Sequence, residues 1–450
     1  MMGDLDLKEI GGPLAQLTIV RPVGRVVGVD SGIVQVGGLN QHARVGDQIK
    51  VYGRDHVASS GEVVGTRIDG NLTVLMDDDL EGLAHGDRAV LIEPRGIFPH
   101  ASWLGRIIDP NGRPMDGRPL RKGLEVRHLL SAPPSPISRG RLGSRFATGL
   151  AVFDTMLPIV RGQRVGVFAG SGVGKSTLMG DFARKISADV AVIAMVGERG
   201  RELKQFTEDT LGPAGLARSV IVAATSDASA LTRRRCAWTA MAVAEHFRDA
   251  GCSVLLIADS ITRFAEAHRE VAAAAGEAPV LRGFPPSTAH IIASLCERAG
   301  PGPVDSGSIT GIFSVLVAGS DMDEPIADVL RGVLDGHVVL DRGIAERGRF
   351  PAVDVLRSVS RSLPAAATES ENDLIARARR LLGVYSENEM MLTSGLYSQG
   401  GNAEIDCARE AYPHLDTFFG RRHEQGIDHS FELLELTLRR AGDLPRKGAV

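Results

Sequence analysis

The sequence predicts an α/β protein in three parts: a small β-barrel in front, a parallel sheet covered by helices in the middle, and a helical domain at the end. Three observations predict it. Between Leu17 and about Glu93, short β-branched runs alternate in polarity and are separated by Gly, Asp and Asn. Between Thr148 and about Arg361, continuous apolar runs alternate with longer helical patterns. Beyond Pro364 the apolar residues recur at helical spacing. A chain of 450 residues has room for such a division.

The front segment holds the runs Arg25 to Val29, Gly32 to Val36, Gln48 to Val51 and Leu72 to Leu75. Closing them into a barrel hides the strand edges. Acidic residues outnumber basic ones here and Tyr52 is the only aromatic, so the barrel lacks the basic groove and stacking rings of a single-strand-binding surface. Residues 1–95 are assigned to this part. Residues 96–147 are rich in Pro, Gly and Arg with little periodicity, and read as a connector draped on the next domain. Residues 148–364 carry the runs Arg164 to Phe168, Val190 to Val196, Val220 to Ala223, Val254 to Ala258 and Ile312 to Val317, expected as strands buried on both faces. In residues 365–450, Thr368 and Glu371 have capping-box spacing, followed by Leu374, Ile375, Ala378, Leu381, Leu382 and Tyr385 on one helical face.

Composition narrows the function. A net charge of -4 gives no general attraction to nucleic acid or anionic lipid. Cys236, Cys252, Cys296 and Cys407 are scattered without CxxC spacing, and are expected to be reduced packing residues. No apolar stretch is long enough to span a bilayer, and acids stand where a secretory signal would carry basic residues, so a cytoplasmic location is expected.

The strongest motif is Ala169-Gly170-Ser171-Gly172-Val173-Gly174-Lys175-Ser176-Thr177, between a strand and a helix-compatible stretch. Its glycines let backbone N–H groups turn inward around phosphate oxygens, and the following helix N-terminus adds partial positive charge. Lys175 is expected at the β- and γ-phosphates of ATP, and the Ser176 hydroxyl on Mg²⁺. Ala169 replaces the usual first Gly, which is tolerable where that residue needs no positive φ. Asp259 closes the run Val254 to Ala258 and is expected to hold the metal through water; capping the next helix is its other reading. Glu198 follows the run Val190 to Val196 and is the candidate general base, although spacing alone also fits a solvated surface carboxylate.

These residues resemble the rotary and secretion ATPase superfamily: the catalytic subunits of F-type ATP synthase and their relatives in flagellar and type III secretion export. LGRIIDPNGRPMDG, TGLAVFDTMLPIVRGQ, GERGRE, ADSITRF and FPAVDVLRSVSR match its successive blocks, and AGSGVGKSTLMG, ATSDASALTRRR and RGFPPSTAHIIASLCERAG are closest to the export branch. The resemblance implies a RecA-like P-loop ATPase domain in the centre. It implies that Glu198 is the catalytic carboxylate, that Arg199 and Arg263 lie near the nucleotide, that Phe350 packs on adenine, and that Arg361 is an arginine finger acting across a subunit boundary. A chain carrying both Glu198 and Arg361 can build complete sites from copies of itself, so a homohexamer is expected. YSQGGNAEID departs from the family's Asp-Pro by carrying Asn402-Ala403, and the amphipathic N-terminal segment that binds a regulator in the export branch is here broken by Gly11-Gly12.

The function implied is Mg²⁺-dependent ATP hydrolysis energising flagellar protein export. Expected partners are the export apparatus, a negative regulator and chaperone–client complexes, with no nucleic acid. The chain would sit at most peripherally at the inner-membrane export gate. The alternatives are a virulence type III secretion ATPase, an RNA motor resembling the termination factor Rho, and a non-catalytic rotary ATPase subunit.

Overall fold

The computed structural model describes residues 20–440 except 31, 55–57, 78–79, 93–95, 281, 318–321 and 323. The N-terminal segment with Gly11-Gly12 lies outside the described residues. The front part closes as a six-stranded barrel of β1 (Val23–Asp30), β2 (Ile33–Gly37), β3 (Gln48–Tyr52), β4 (Ala58–Thr66), β5 (Leu72–Met76) and β6 (Arg88–Ile92), in the order β1-β2-β5-β4-β3-β6. Burial alternates along β2, β3 and β5 as the sequence alternates, and Val26, Val34, Val36, Ile49, Val51, Val63 and Val74 fill the interior.

The central sheet has nine strands. Its main path runs β15-β14-β8-β13-β11-β9-β10-β7, where β7 is Arg106–Ile108, β8 Arg164–Ala169, β9 Val190–Glu198, β10 Ser219–Thr225, β11 Ser253–Asp259, β13 Ser308–Leu316, β14 Gly336–Leu340 and β15 Val353–Ser360. The two-residue β12 (Gly300–Pro301) pairs with the start of β13. Every residue of β11 and all but the last of β9 are buried, as continuous apolar strands between two helical layers must be.

Four strands of this sheet were not expected from the sequence: the two-residue β12, and β7, β14 and β15. β7 comes from the connector and pairs in parallel with β10, so that segment is part of the sheet as well as draped on it. With only three residues, β7 leaves no periodic trace. β14 and β15 form an antiparallel pair at the other edge, with an irregular register between His337 and Val339. β15 is half exposed, so it shows neither continuous apolarity nor clean alternation.

Six helices matter for the site and its surroundings. α1 (Lys175–Lys185) follows β8, α2 (Ala230–Asp249) follows β10 and α3 (Ile261–Ala274) follows β11. The end of the chain packs α4 (Glu369–Thr393) against α5 (Ala403–Phe419), with a further helix, Ile427–Arg440, completing the bundle. The capping box of Thr368 and Glu371 forms, and Glu371 also accepts from Arg145 at 2.9 Å. Asn402 caps α5 by accepting from the N–H groups of Glu404 and Ile405, so it supplies the acceptor that an Asp would provide there. Tyr385 and Tyr412 stack between α4 and α5 with ring centroids 3.8 Å apart.

The barrel is tied to the core by charge. Arg234 and Arg235 at the start of α2 donate to the two oxygens of Glu62 on β4, at 2.6 and 3.0 Å, and all three are buried. Ser229 donates to Asp77 at 2.6 Å, and Val64, Leu231 and Val271 pack beside this junction.

Candidate nucleotide site

β8 delivers the chain into the loop 170–174, and α1 leaves it. Gly172 and Gly174 have φ of 79° and 85°, a region costly for any residue with a side chain, whereas Ala169 does not. Ala169 ends β8 fully buried and its carbonyl accepts from Val317 at 3.1 Å, which explains why Ala serves there. Ser171, Ser176 and Thr177 are exposed around the loop, and Val173 is buried beneath it.

Lys175 donates to Asp259 Oδ1, which also accepts from Ser314 Oγ at 2.6 Å. Asp259 is the last residue of β11, and the helix that follows is capped by Ser260 instead, whose side chain accepts from the Arg263 N–H. The helix-capping reading of Asp259 is thereby removed. Ser314 was not singled out in the sequence; its signal was a polar residue in the otherwise apolar run Ile312 to Val317.

Glu198 ends β9 half-buried. Burial, the nearby charge of Asp259 and a hydrogen bond with Glu202 push its carboxyl up to about 7, with Lys175 acting in the opposite direction. A solvated surface carboxylate would not be raised in this way. Gly197 just before it has φ of 68°, and a Cβ there would stand 3.5 Å from Arg263 Cβ. Arg263 bonds Glu266 at 3.0 Å beside this turn. Arg199 is exposed and bonds Glu202 at 3.2 Å.

Phe350 lies against the phosphate loop: a Cβ on Gly174 would come within 3.1 Å of its ring. The ring is 44% exposed and lines a cleft of about 270 Å³ with Gly174, Thr177, Leu178, Asp181 and Arg422. A half-exposed ring at the phosphate loop is not a core aromatic. Asp181 and Arg422 were missed by sequence reasoning, since an acid in a helix and an Arg in GRRH carry no signal of their own.

Arg361 is not brought to this chain's own loop. Val353 pairs with Leu340, which pairs with Ala169 beside the loop, whereas Ser360 pairs with Gly336 near the start of β8. Arg361 therefore sits at the opposite end of the sheet, exposed, donating to the Arg331 carbonyl at 3.2 Å.

The oxygen donors at the loop suit a small hard cation. Ser176 offers a hydroxyl and Asp259 a carboxylate that already balances an ammonium charge, and Mg²⁺ takes few protein ligands of this kind.

Comparison with known proteins agrees with this geometry. The ATP synthase alpha/beta family, nucleotide-binding domain, matches residues 149–360, and the T3SS EscN ATPase C-terminal domain matches residues 367–436. The chain is 42% identical to the flagellum-specific ATP synthase of Caulobacter vibrioides over 423 residues, covering 91% of this chain and 94% of that one. It is 40% identical to the type 3 secretion system ATPase of Xanthomonas euvesicatoria over 426 residues, covering 94% and 95%. The structure of the assembled ATPase EscN in complex with its central stalk EscO, from enteropathogenic E. coli, superposes with a TM-score of 0.81 at 35% identity, covering 92% of this chain and all of that one. The chain is a P-loop ATPase and belongs to the family of flagellar and type III secretion ATPases.

Proposed function

We propose that this ATPase energises flagellar protein export as a homohexameric ring with its nucleotide sites at subunit boundaries. The observation that carries the reading is the placement of Phe350 at the chain's own phosphate loop and of Arg361 at the far end of β15, with Glu198 in the same chain. Arg361 has no route to its own site, so it serves a neighbour's.

In this reading the glycine loop and Lys175 cradle the β- and γ-phosphates, with Phe350 against the base. Mg²⁺, held by Ser176 directly and by Asp259 through water, would neutralise phosphate charge. Lys175 exchanges Asp259 for phosphate oxygens when ATP enters. Glu198, with its carboxyl near neutrality, orients the attacking water and accepts its proton. The neighbour's Arg361 stabilises charge developing on the transferred phosphoryl group. Arg199 directly follows Glu198, Arg263 lies in the first turn of α3 beside Gly197, and both shape the surroundings of Glu198.

The C-terminal helices are proposed to meet the export apparatus, a regulator and chaperone–client complexes, and the stalk bound by EscN suggests a comparable partner for the ring. Among the described residues no helix is long and apolar enough to cross a membrane. A peripheral position on the cytoplasmic side of the export gate fits that.

Mixed rings test the proposal. Glu198→Ala and Arg361→Ala are each expected to be inactive, and their equimolar mixture to recover activity, because some boundaries pair an intact Glu198 with an intact Arg361. A dead mixture, with mixed rings shown to form, would remove the trans role of Arg361.

A further inference from the structure

The starts of β8 and β14 and the end of β15 meet where Arg361 leaves the sheet, and a buried amide joins them. Gln163, just before β8, is fully buried. Its Nε2 donates to the Asp335 carbonyl at 3.3 Å and to Ser360 Oγ at 3.2 Å, and its Oε1 accepts from the Val160 N–H at 3.0 Å. Both amide hydrogens and the amide oxygen are in use, which fixes the orientation of the side chain. The same Asp335 carbonyl accepts the Arg361 N–H at 3.0 Å, and Ser360 Oγ donates onward to the Pro158 carbonyl at 2.7 Å.

The Asp335 side chain makes a second tie. Its Oδ2 accepts from the Arg164 N–H and Nε, each at 3.0 Å, its Oδ1 accepts from Arg164 Nη2 at 2.9 Å, and the Asp335 N–H donates back to the Arg164 carbonyl at 2.8 Å. Arg164 Nη1 donates to Glu297. A bidentate pair fixes geometry as well as charge. Arg361 itself is exposed, and its Nη2 donates to the Arg331 carbonyl near the end of the helix Pro325–Val333. The backbone beneath this guanidinium is thus held from two sides while the side chain points out of the fold. A group that must meet a phosphate on another molecule needs such a base, because a misplacement of about 1 Å can cost on the order of 10²-fold in rate.

We propose that Gln163 and the Arg164–Asp335 pair are positioning residues for the arginine finger: they fix Ser360 and Arg361 so that the guanidinium of one protomer reaches the phosphoryl group in its neighbour's site. This rests on reading Arg361 as a group that acts in trans, and deepens that reading by naming what supports it. Gln163 and Arg164 stand at the foot of β8, which leads into the chain's own phosphate loop, yet they serve the next protomer's site.

The test is ATP turnover by the full-length protein with Gln163→Ala, Asp335→Asn and the double variant Arg164→Ala/Asp335→Ala, each alone and in equimolar mixed rings. The double variant removes both charges of the pair together, so it carries the test if circular dichroism shows that a single variant does not fold. Each is expected to lower kcat by about 10²-fold with KM for ATP within about twofold of wild type, since a finger acts on charge that develops in the transition state. Adding Gln163→Ala to Arg361→Ala should cost nothing further, because a positioning residue then has nothing to position. Mixed with Glu198→Ala, each folded variant should recover activity, as the Glu198→Ala protomers lend a supported finger to intact sites. Mixed with Arg361→Ala it should not, both partners being deficient at the same end of the sheet. A residue needed only for its own phosphate loop gives the reverse pattern, recovery with Arg361→Ala and none with Glu198→Ala. That result overturns the proposal, as does recovery in both mixtures, recovery in neither, or a kcat left unchanged. If the mixture of Glu198→Ala with Arg361→Ala itself stays dead in mixed rings while wild type is active, the trans reading of Arg361 fails, and this inference with it.

Discussion

Phe350 and Arg361 flank a single edge strand, the eight-residue β15, one at the phosphate-loop end of the sheet and the other at the opposite end. The strand spans about 26 Å at the usual rise per residue. Because β15 is antiparallel to β14, its first end lies beside the phosphate loop and its second end at the opposite end of the sheet.

Arg361→Ala is expected to lower kcat by about 10³-fold or more, the scale of an arginine finger. Equilibrium binding of ADP, which calls for no transition-state charge, should change little. Arg361→Lys should not recover kcat, since a point charge does not replace a planar fork. Calorimetric titration with ADP beside turnover assays separates the two effects.

The carboxyl of Glu198 is raised to about 7, so below neutrality it is mostly protonated and unable to accept a proton from water. kcat/KM for ATP should therefore rise with pH and reach half its plateau near pH 7. Glu202→Gln removes one cause of the raised value and should move that limb to lower pH. The stability linkage has the opposite sense. The folded chain holds this proton more tightly than the unfolded chain, whose ordinary value is 4.5, so the Glu198 contribution is full below that value and is lost as pH rises through about 7. A pH–rate profile of wild type and Glu202→Gln, with melting curves across the same range, checks both.

Phe350→Ala should raise KM for ATP by about tenfold with little loss of kcat, because the ring gives stacking area and no charge to the reaction. Phe350→Tyr should remain within about twofold of wild type. A large fall in kcat for Phe350→Ala would mean that the ring also holds the glycine loop in shape through Gly174.

Glu62 is the joint between barrel and core. Removing it leaves the buried Arg234 without its ion-pair partner and Arg235 with the longer ion pair to Asp77 at 3.8 Å, which costs on the order of 3–5 kcal/mol. Glu62→Ala should lower the thermal midpoint by several degrees, and Glu62→Gln by less, since an amide oxygen still accepts from one Arg. Differential scanning calorimetry distinguishes them.

Much of this was legible in the sequence. The glycine loop is readable because its requirement is steric and local: Gly172 and Gly174 must adopt positive φ, and Lys175 must follow. β11 and all but the end of β9 are buried and announce themselves by unbroken apolarity, and their last residues, Asp259 and Glu198, are conspicuous because a carboxylate at such a place is costly without a purpose. The edges of the sheet were not legible. β7 is too short, and β15 is half exposed and irregular in register, so neither has a period to read. Ser314 matters through a partner 55 residues away, and Asp181 and Arg422 through each other, 241 residues apart along the chain. Those pairings are properties of the tertiary fold and leave no local pattern.

The strand β7 bears on how far the chain can be shortened. It seals the open side of β10 with three residues drawn from well before the phosphate loop. A fragment cut at the apparent start of the nucleotide-binding region would present bare N–H and C=O groups along β10, a template for sticking to other copies. The smallest well-behaved piece should therefore begin ahead of Arg106, and fragments that begin later should precipitate even though every residue of the phosphate loop is present.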